Sequence, residues 1–489
     1  MKLHVRLIKL RAGKPIAFMH NHDAQKLAVH SGDRVTILDG GKNRAAIVDT
    51  ASGLFHEGEI ALSEELAEEL GVRSKSLIEV VPATLPKSSR ILQTKKWSRE
   101  YTKDELKTIM RDLVNDTLSD AEIAYFVSGV YHHGLSLKET LYLTQAIFET
   151  GSHLTWNSKA VADKHSIGGI PGNRTTPVIV AICAAVGITM PKTSSRAITS
   201  AAGTADVIES IAHVDFSIKE LKKIVEKTNA CLAWGGSLGL APADDKLIQI
   251  EKRLNLDPEP QLIASILSKK LAVGSTHVLI DIPYGPGAKV SKSQALKLKG
   301  KFLKLGRQLK LTLKVVLTDG SQPIGNGIGP ALEIKDVLSV LRHNDFPIDL
   351  EKKSVMLSGV VLEMLGKAKK GKGRKLAQDI LNSGQALAKF KEIIEAQGGK
   401  IDGLPEAAYS RVIASHKDGI IQHIDNKKIN SLARTLGSPL NKKAGLYLHK
   451  HVGESIKKGR PLLTLYAESE DKLKEALVYV KETPPIRVE

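Results

Sequence analysis

Alternating apolar and polar residues dominate the first 84 residues and predict an N-terminal β-rich domain over residues 1–84. Short runs rich in β-branched residues are separated by Gly, Asp and Asn, the pattern of strands joined by tight turns. The predicted strands cover residues 4–10, 15–20, 34–40, 44–50 and 76–83. A helix is predicted over residues 63–70, with Ser63 as its N-cap. Two prolines within residues 82–90 indicate a linker.

The apolar spacing then changes to three and four residues, which predicts a helical domain over residues 95–160. Ser119 and Ser136 are suited to be N-caps, and Gly134 and Gly151 are suited to end helices. The predicted helices cover residues 98–116, 119–134 and 136–151.

Between residues 161 and 402, predicted strands alternate with helices, which indicates an α/β domain with a parallel sheet. The predicted strands cover residues 177–187, 188–194, 231–236, 277–285 and 314–320, and two intervening helices cover 217–229 and 260–274. Ligands bind beyond the carboxyl ends of the strands in such sheets. Alternation returns after residue 403 and predicts a C-terminal α+β domain over residues 403–489.

The cysteine content, the lengths of the apolar runs and the net charge limit the classes of protein to which this chain can belong. Only Cys183 and Cys231 are present, which argues against a disulfide scaffold and makes a reducing cytoplasm the expected location. The N-terminus lacks the apolar core of a signal peptide, and the longest apolar run is shorter than a membrane span. The net charge of +18 is compatible with RNA binding or with an anionic small substrate. The basic stretches lack the interleaved aromatic residues of single-strand binders, which favours the small substrate.

Residues 162–176, ADKHSIGGIPGNRTT, combine glycines, hydroxyl groups and positive charge. Glycines at 168, 169 and 172 allow backbone N–H groups to converge on an anion, and a following helix adds its positive N-terminus. Lys164 supplies a full charge and Ser166 a hydroxyl group. The alternative is an ordinary polar turn between a strand and a helix.

Three further stretches carry candidate chemistry. Residues 191–206 form a second hydroxyl-rich loop, although Arg196 could instead form an ion pair with Asp206. Ser265 and Lys269 lie four residues apart on a predicted helix and therefore share a face. Asp257 precedes this helix and is also suited to be its N-cap. Lys289 follows a strand in a glycine-rich turn that lacks the spacing of a nucleoside-triphosphate loop.

The segments that carry these residues resemble the signatures of the thymidine/pyrimidine-nucleoside phosphorylase family over residues 95–489. They are KHSIGGIPGNRTT (164–176), PKTSSRAITSAAGTAD (191–206), LAPADD (240–245), ASILSKKLAVGSTHVLIDIP (264–283) and TDGSQPIGNGIGPALE (318–333). The resemblance implies an α/β fold with a helical domain, the glycosyltransferase family 3 fold. The β-rich N-terminal domain is similar to the extra domain of the AMP phosphorylase branch, which includes type 2 thymidine phosphorylases.

The resemblance implies that a nucleotide or nucleoside is split by phosphate, without a metal or a cofactor, in a homodimer or larger homo-oligomer. It assigns the attacking phosphate to Lys164 and Ser166 and the general acid to Asp257. A protonated carboxyl group at neutral pH requires burial or a neighbouring negative charge, so this role needs a test. The resemblance assigns the substrate to Gly169, Ser195, Arg196, Ala197, Ile198, Thr199, Ser200, Thr204, Ser265 and Lys289. His165 matches a histidine near the sugar and base, and Lys269 matches a base contact.

One departure from the family pattern bears on the base. Pyrimidine-nucleoside phosphorylases hold it with an Arg in a Tyr-x-x-Arg-Asp segment, which is LIQIEKRLNLD (247–257) here. Without that Arg, we expect AMP or another nucleoside 5′-monophosphate as substrate and ribose 1,5-bisphosphate as product. Thymidine phosphorylase remains an alternative, because Arg253 could turn inward. A non-enzymatic RNA-binding protein is the second alternative. A magnesium-diphosphate enzyme related to anthranilate phosphoribosyltransferase is disfavoured, because no acidic pair stands beside the glycine loop.

Overall fold

The computed structural model describes residues 1–197 and 200–489, so the predicted site residues Ile198 and Thr199 lie outside the described residues. The chain forms two compact units. Unit 1 contains Met1–Thr150 and Pro242–Gln261, and unit 2 contains Gly151–Ala241 and Leu262–Glu489. The domain limits given above from the sequence stay predictions.

Residues 1–84 form a closed barrel with the strand order β1-β5-β2-β4-β3-β6. Alternation produces this barrel because inward residues such as Leu3 and Val5 are buried while their neighbours on β1 face solvent. The elements are β1 (Lys2–Leu7), β2 (Ile16–Met19), α1 (Asn21–Lys26), β3 (Arg34–Asp39), β4 (Lys42–Thr50), β5 (Glu59–Leu62), α2 (Glu64–Leu70) and β6 (Leu77–Pro82).

The structure corrects three details of the predicted barrel domain. Strand β5 and the six-residue helix α1 were not predicted. Strand β5 is short and nearly all buried, so it lacks the alternation of apolar and polar residues that indicates a strand. Ser63 precedes α2 but makes no side-chain cap. Its hydroxyl group instead donates to the carbonyl of Lys14 and accepts from the N–H of Ile16. The predicted linker over residues 82–90 already contains the start of a helix at Lys87.

The helices that follow in unit 1 have well-formed N-termini. They are α3 (Lys87–Gln93), α4 (Lys103–Val114), α5 (Asp120–His133) and α6 (Leu137–Glu149). Ser119 and Ser136 cap α5 and α6 as predicted, each in a reciprocal capping box with the glutamate three residues later. Each cap contributes about 1 kcal/mol. Gly134 ends α5 as predicted, whereas α6 ends at Glu149 with Thr150 as its C-cap.

Residues 151–408 hold the parallel strands and most of the helices. The elements are β7 (Ala162–Ser166), α7 (Thr175–Ala185), β8 (Met190–Ser194), α8 (Thr204–Ile208), α9 (Ile218–Thr228), β9 (Ala230–Trp234), α10 (Pro242–Leu254), α11 (Glu259–Ala272), β10 (His277–Tyr284), α12 (Lys292–Gln308), β11 (Thr312–Asp319), β12 (Gly327–Ile328), α13 (Pro330–Arg342), α14 (Ile348–Met364), α15 (Gly373–Asn382) and α16 (Gln385–Ala396). Helix α10 belongs to unit 1, and the chain returns to unit 2 within α11.

The predicted parallel sheet is confirmed. Strands β11, β10 and β7 pair in parallel, as do β8 and β9, and a parallel bridge joins Val161 to Thr189 between the two groups. The predicted strand over residues 177–187 is wrong, because residues 177–185 lie in α7. Helix α7 is buried along its length, so it lacks the polar face that would have revealed a helical period.

The C-terminal part has two small sheets, with strand orders β12-β15-β17-β13 and β16-β14-β18. Its elements are β13 (Tyr409–Ala414), β14 (Gly419–Ile424), α17 (Asn426–Thr435), β15 (Gly445–Leu448), β16 (Ser455–Ile456), β17 (Pro461–Ala467), α18 (Glu470–Glu482) and β18 (Ile486–Val488). The alternation predicted after residue 403 therefore corresponds to strands. In the described part of the chain, no helix combines the length and apolarity needed to cross a membrane.

Candidate active site

The candidate site of unit 2 is built on loops that follow the carboxyl ends of parallel strands. Strand β7 ends at Ser166, β8 at Ser194 and β10 at Tyr284. The loops that follow carry Gly169, Ser195 and Lys289, three of the predicted site residues. This is the edge of a parallel sheet at which ligands bind.

The loop after β7 requires its glycines. Gly168, Gly169 and Gly172 have φ values of +86°, +91° and +65°, which L side chains rarely adopt. A Cβ on Gly172 would also lie 2.3 Å from the carbonyl oxygen of Ile324. The loop leads directly into α7, whose first backbone N–H groups at Thr175 and the residues after it provide a positive helix terminus.

The sequence had indicated a loop for Lys164 and Ser166, but both residues lie in strand β7. The ammonium group of Lys164 is buried and donates a 3.0 Å hydrogen bond to Thr175 Oγ1 at the start of α7. Burial lowers the pKa of Lys164 to about 7. Ser166 is half-buried, and its hydroxyl oxygen accepts a 3.5 Å contact from the side-chain amide of Asn173.

His165 lies between these two residues on β7. Burial, followed by the nearby ammonium group of Lys270, holds the pKa of His165 well below its usual value of 6.5. The imidazole is therefore neutral at neutral pH, and it can accept or donate a hydrogen bond without adding charge to the site.

A buried ion network lies behind this strand, and sequence reasoning missed it. Asp163 on β7 contacts Lys270 Nζ at 2.6 Å and Lys192 Nζ at 3.2 Å. Asp281 on β10 accepts a 2.6 Å hydrogen bond from Thr318, and its other oxygen lies 3.3 Å from Lys353 Nζ. The available signal was an Asp within an otherwise apolar strand that is buried on both faces, because such a charge needs a partner.

The second predicted loop is held mainly by its own ion pairs. Arg196 makes a two-pronged pair with Glu209, at 2.5 and 2.6 Å, and stacks over Trp234. The ion pair of Arg196 with Asp206 that the sequence suggested is also present, at the longer distance of 3.4 Å. Asp206 also accepts hydrogen bonds from the backbone N–H groups of Ala197 and Gly203. The guanidinium group of Arg196 is therefore committed to the loop.

The turn of this loop is closely packed against other residues of the same loop. The hydroxyl group of Ser200 donates to the carbonyl of Ala202, and a Cβ on Gly203 would lie 2.5 Å from the carbonyl oxygen of Ser195. Ser195 itself is exposed. The loop thus folds back on itself, with little room for side chains at the turn.

Arg174 positions another predicted residue. Its guanidinium group donates to Thr204 Oγ1 at 2.8 Å, to the carbonyl of Ala202 at 2.9 Å and to Glu333 at 2.6 Å. Burial raises the pKa of Glu333, while the charge of Arg174 opposes that change. Arg174 and Glu333 were not predicted as site residues.

The remaining predicted residues lie on or near α11. Ser265 and Lys269 are half-buried on this helix, four residues apart as predicted. Asp257 belongs to unit 1, is exposed, and lies two residues before the helix begins at Glu259. Arg253, also in unit 1, is exposed and pairs with Asp120 at 3.0 Å.

Three family models match the sequence. The helical bundle domain of a glycosyl transferase family matches residues 89–151, and its a/b domain matches residues 158–387. The pyrimidine nucleoside phosphorylase C-terminal domain matches residues 420–487. Anthranilate phosphoribosyltransferase from Thermus thermophilus shares the fold, with a TM-score of 0.52 and 15% identity over 64% of this chain and 99% of that one.

Relatives named AMP phosphorylase match along the full chain. The protein from Thermococcus kodakarensis is 43% identical over 100% of this chain and 98% of its own length. Those from Pyrococcus furiosus and Methanosarcina mazei are each 42% identical over 100% of this chain, covering 98% and 97% of their own lengths. With relatives this similar along its whole length, the chain belongs to the AMP phosphorylase branch of the thymidine/pyrimidine-nucleoside phosphorylase family.

Proposed function

We propose that the protein is a pentosyltransferase that splits AMP with inorganic phosphate, giving adenine and ribose 1,5-bisphosphate. The observation that carries the proposal is the similarity to AMP phosphorylases over the entire chain, including the N-terminal barrel. The buried cations beside the glycine loop of unit 2 support it, because both substrates are anions.

In the proposed reaction, an oxygen of phosphate forms a bond to C1′ of the ribose while the bond from C1′ to the base breaks. The electron pair of that bond leaves with the base, which then needs a proton or a hydrogen-bond donor. Holding phosphate in line with the breaking bond can contribute roughly 7–11 kcal/mol to lowering the barrier.

We assign the attacking phosphate to Lys164 and Ser166, at the carboxyl end of β7. The charge of Lys164 and the N-terminus of α7 suit a dianion. Because the guanidinium group of Arg196 is already paired with Glu209, we assign Arg196 a backbone contact with substrate. The other proposed substrate contacts are Gly169, Ser195, Ala197, Ile198, Thr199, Ser200, Thr204, Ser265 and Lys289.

Asp257 is the proposed general acid that protonates the leaving base. Its side chain is exposed in the structure, so this role requires that bound substrate shield it from water. His165, neutral at neutral pH, is proposed to lie near the sugar and the base, and Lys269 is a proposed base contact. The reaction as written balances without metal or cofactor, so we expect activity to survive treatment with a chelator. We also propose a homo-oligomer in the cytoplasm, which light scattering and cell fractionation would test.

The test is release of free base by the purified full chain with phosphate, comparing AMP, CMP, UMP, thymidine and uridine side by side. We expect release from AMP, no release from the two nucleosides, and none from AMP when phosphate is omitted. Release from thymidine alone would overturn the proposal in favour of a thymidine phosphorylase. In that case Arg253→Met should abolish the activity if this residue turns inward to hold the base. If no base is released from any of the five compounds, the result would favour the RNA-binding alternative.

A further inference from the structure

Asp281 lies between two buried lysines from different parts of unit 2. Its Oδ2 atom is 3.3 Å from Nζ of Lys353 on α14 and 3.9 Å from Nζ of Lys164 on β7. Its Oδ1 atom accepts the hydrogen bond from Thr318. Two ammonium groups therefore share one oxygen of the Asp281 carboxylate. Both lie farther from it than the 2.6 Å that separates Lys270 from Asp163.

The network as a whole holds more positive than negative charge. Among the described residues, the ion pairs of Lys164, Lys192, Lys270 and Lys353 are all with Asp163 or Asp281, and all six residues are less than a tenth exposed. Buried charge without a partner is too costly to persist, so the excess ammonium groups must lose protons or be matched by an anion. A dianion bound beside Lys164 would supply that match.

Lys353 is the member with the least satisfied ammonium group. Its Nζ atom is buried and, within the described residues, makes no hydrogen bond of ordinary geometry. It reaches the network from α14, outside the strands and loops that carry the family signatures. Its nearest negative charge is the same oxygen of Asp281 that faces Lys164.

We propose that Asp281 and Lys353 are positioning residues that hold Lys164 ready for the attacking phosphate. The ammonium group of Lys353 compensates part of the negative charge of Asp281. Asp281 can therefore orient Lys164 without fully neutralising the positive charge of Lys164. The inference rests on the proposed function, because it concerns the residues that are proposed to bind phosphate in the same site. Without Lys353, Asp281 would pair fully with Lys164 and withdraw its ammonium group from phosphate.

The test compares Lys353→Met with Lys352→Met, a matched change at the exposed neighbouring lysine on α14. We expect Lys353→Met to raise KM for phosphate by about tenfold, the effect of losing one charge-assisted contact. KM for AMP should change less than about twofold, because binding of the nucleotide does not depend on this lysine. Lys353→Arg should recover part of the phosphate affinity, and Lys352→Met should behave as the unmodified protein.

Equal increases in both KM values, or no change in KM for phosphate, would overturn the inference. If Lys353→Met fails to fold, Thr318→Val serves instead, because it frees Oδ1 of Asp281 while keeping the side-chain shape. That variant should also raise KM for phosphate selectively, and an unchanged value would count against the inference.

Phosphate binding without turnover separates this inference from the proposed function. Inorganic phosphate should raise the melting temperature of the unmodified protein more than that of Lys353→Met. If this difference appears while no substrate releases base, the positioning role stands and the proposed reaction fails. If AMP is split but the difference is absent, the positioning role alone fails.

Discussion

Gly169 packs directly against Lys289, so the loops that follow β7 and β10 contact each other at this residue pair. A Cβ on Gly169 would lie 2.8 Å from Cγ of Lys289, closer than real side chains approach. Gly169 also has a φ of +91°. The absent side chain lets the aliphatic stem of Lys289 cross the glycine loop.

Gly169→Ala should therefore impair activity far more than stability. The added methyl group displaces Lys289, a proposed substrate contact, and positive φ costs about 1–2 kcal/mol for an L residue. We expect kcat/KM for AMP to fall by at least about a hundredfold, because small misplacements at a reacting site are costly. Steady-state kinetics and a thermal melt measure the two effects.

Gly168→Ala is the matched control for that change. Gly168 has a similar φ of +86°, but no described atom lies within 4 Å of the position of its added Cβ. It shares the backbone strain without the collision with Lys289, so its loss of activity should be clearly smaller. Equal losses in the two variants would show that strain, and not the contact with Lys289, governs the effect.

Removing the charge of Arg174 should destabilise unit 2. Arg174→Met leaves Glu333 buried without its cationic partner, and breaking such a pair costs roughly 3–5 kcal/mol. It also frees the hydroxyl group of Thr204, so activity should fall as well. Thermal unfolding and initial rates, measured on the same preparation, report the two effects.

The double variant Arg174→Met with Glu333→Gln separates these contributions. Removing the orphaned charge should restore part of the lost stability, whereas the hydroxyl group of Thr204 remains unsupported and activity should stay low. Recovery of full activity in the double variant would exclude a positioning role for Arg174.

Asp257→Asn should lower kcat for AMP by about 10²–10⁴-fold, the usual contribution of a general acid. Because Asp257 is exposed, the melting temperature should change little. Asp120→Asn, at another exposed aspartate of unit 1, is the control and should retain activity. An Asp257→Asn variant that turns over AMP normally would assign the general acid to a different group.

Stability without phosphate should rise with pH above neutrality. Burial lowers the pKa values of Lys164 and Lys270 to about 7 from an ordinary 10.5. Between these values the unfolded chain binds more protons than the folded one, so each lysine raises the free energy of unfolding by up to roughly 1.4 kcal/mol per pH unit. Melting curves from pH 6 to 9 should show this rise, and it should be smaller in Lys164→Met.

Phosphate should reverse part of this dependence. Binding favours the charged form of Lys164, so the increase in melting temperature caused by phosphate should be larger at pH 7 than at pH 9. Phosphate itself is more negative at pH 9, so a fixed positive charge on Lys164 would give the opposite order. The comparison therefore tests whether this lysine titrates near neutrality.

Features that depend on a few adjacent residues could be predicted from the sequence. The caps at Ser119 and Ser136 follow from a hydroxyl group three residues before a glutamate. The glycine loop after β7 was predicted for the same reason, and glycine adopts the positive φ values of Gly168, Gly169 and Gly172 at little cost. The family motifs are likewise continuous stretches of chain.

The sequence by itself determined most of the local elements, the glycine loop and the family, because each depends on residues that are adjacent in the chain. Only the tertiary structure decided which charges meet. Asp163, Asp281 and Lys353 are far apart in the chain and become neighbours when β7 pairs with β10 and α14 packs nearby. Helix α7 was mistaken for a strand for a related reason, since complete burial by distant elements removed its polar face. Contacts between distant parts of the chain decide which charged side chains meet and which helices are shielded from solvent. A pattern of adjacent residues contains no information about either.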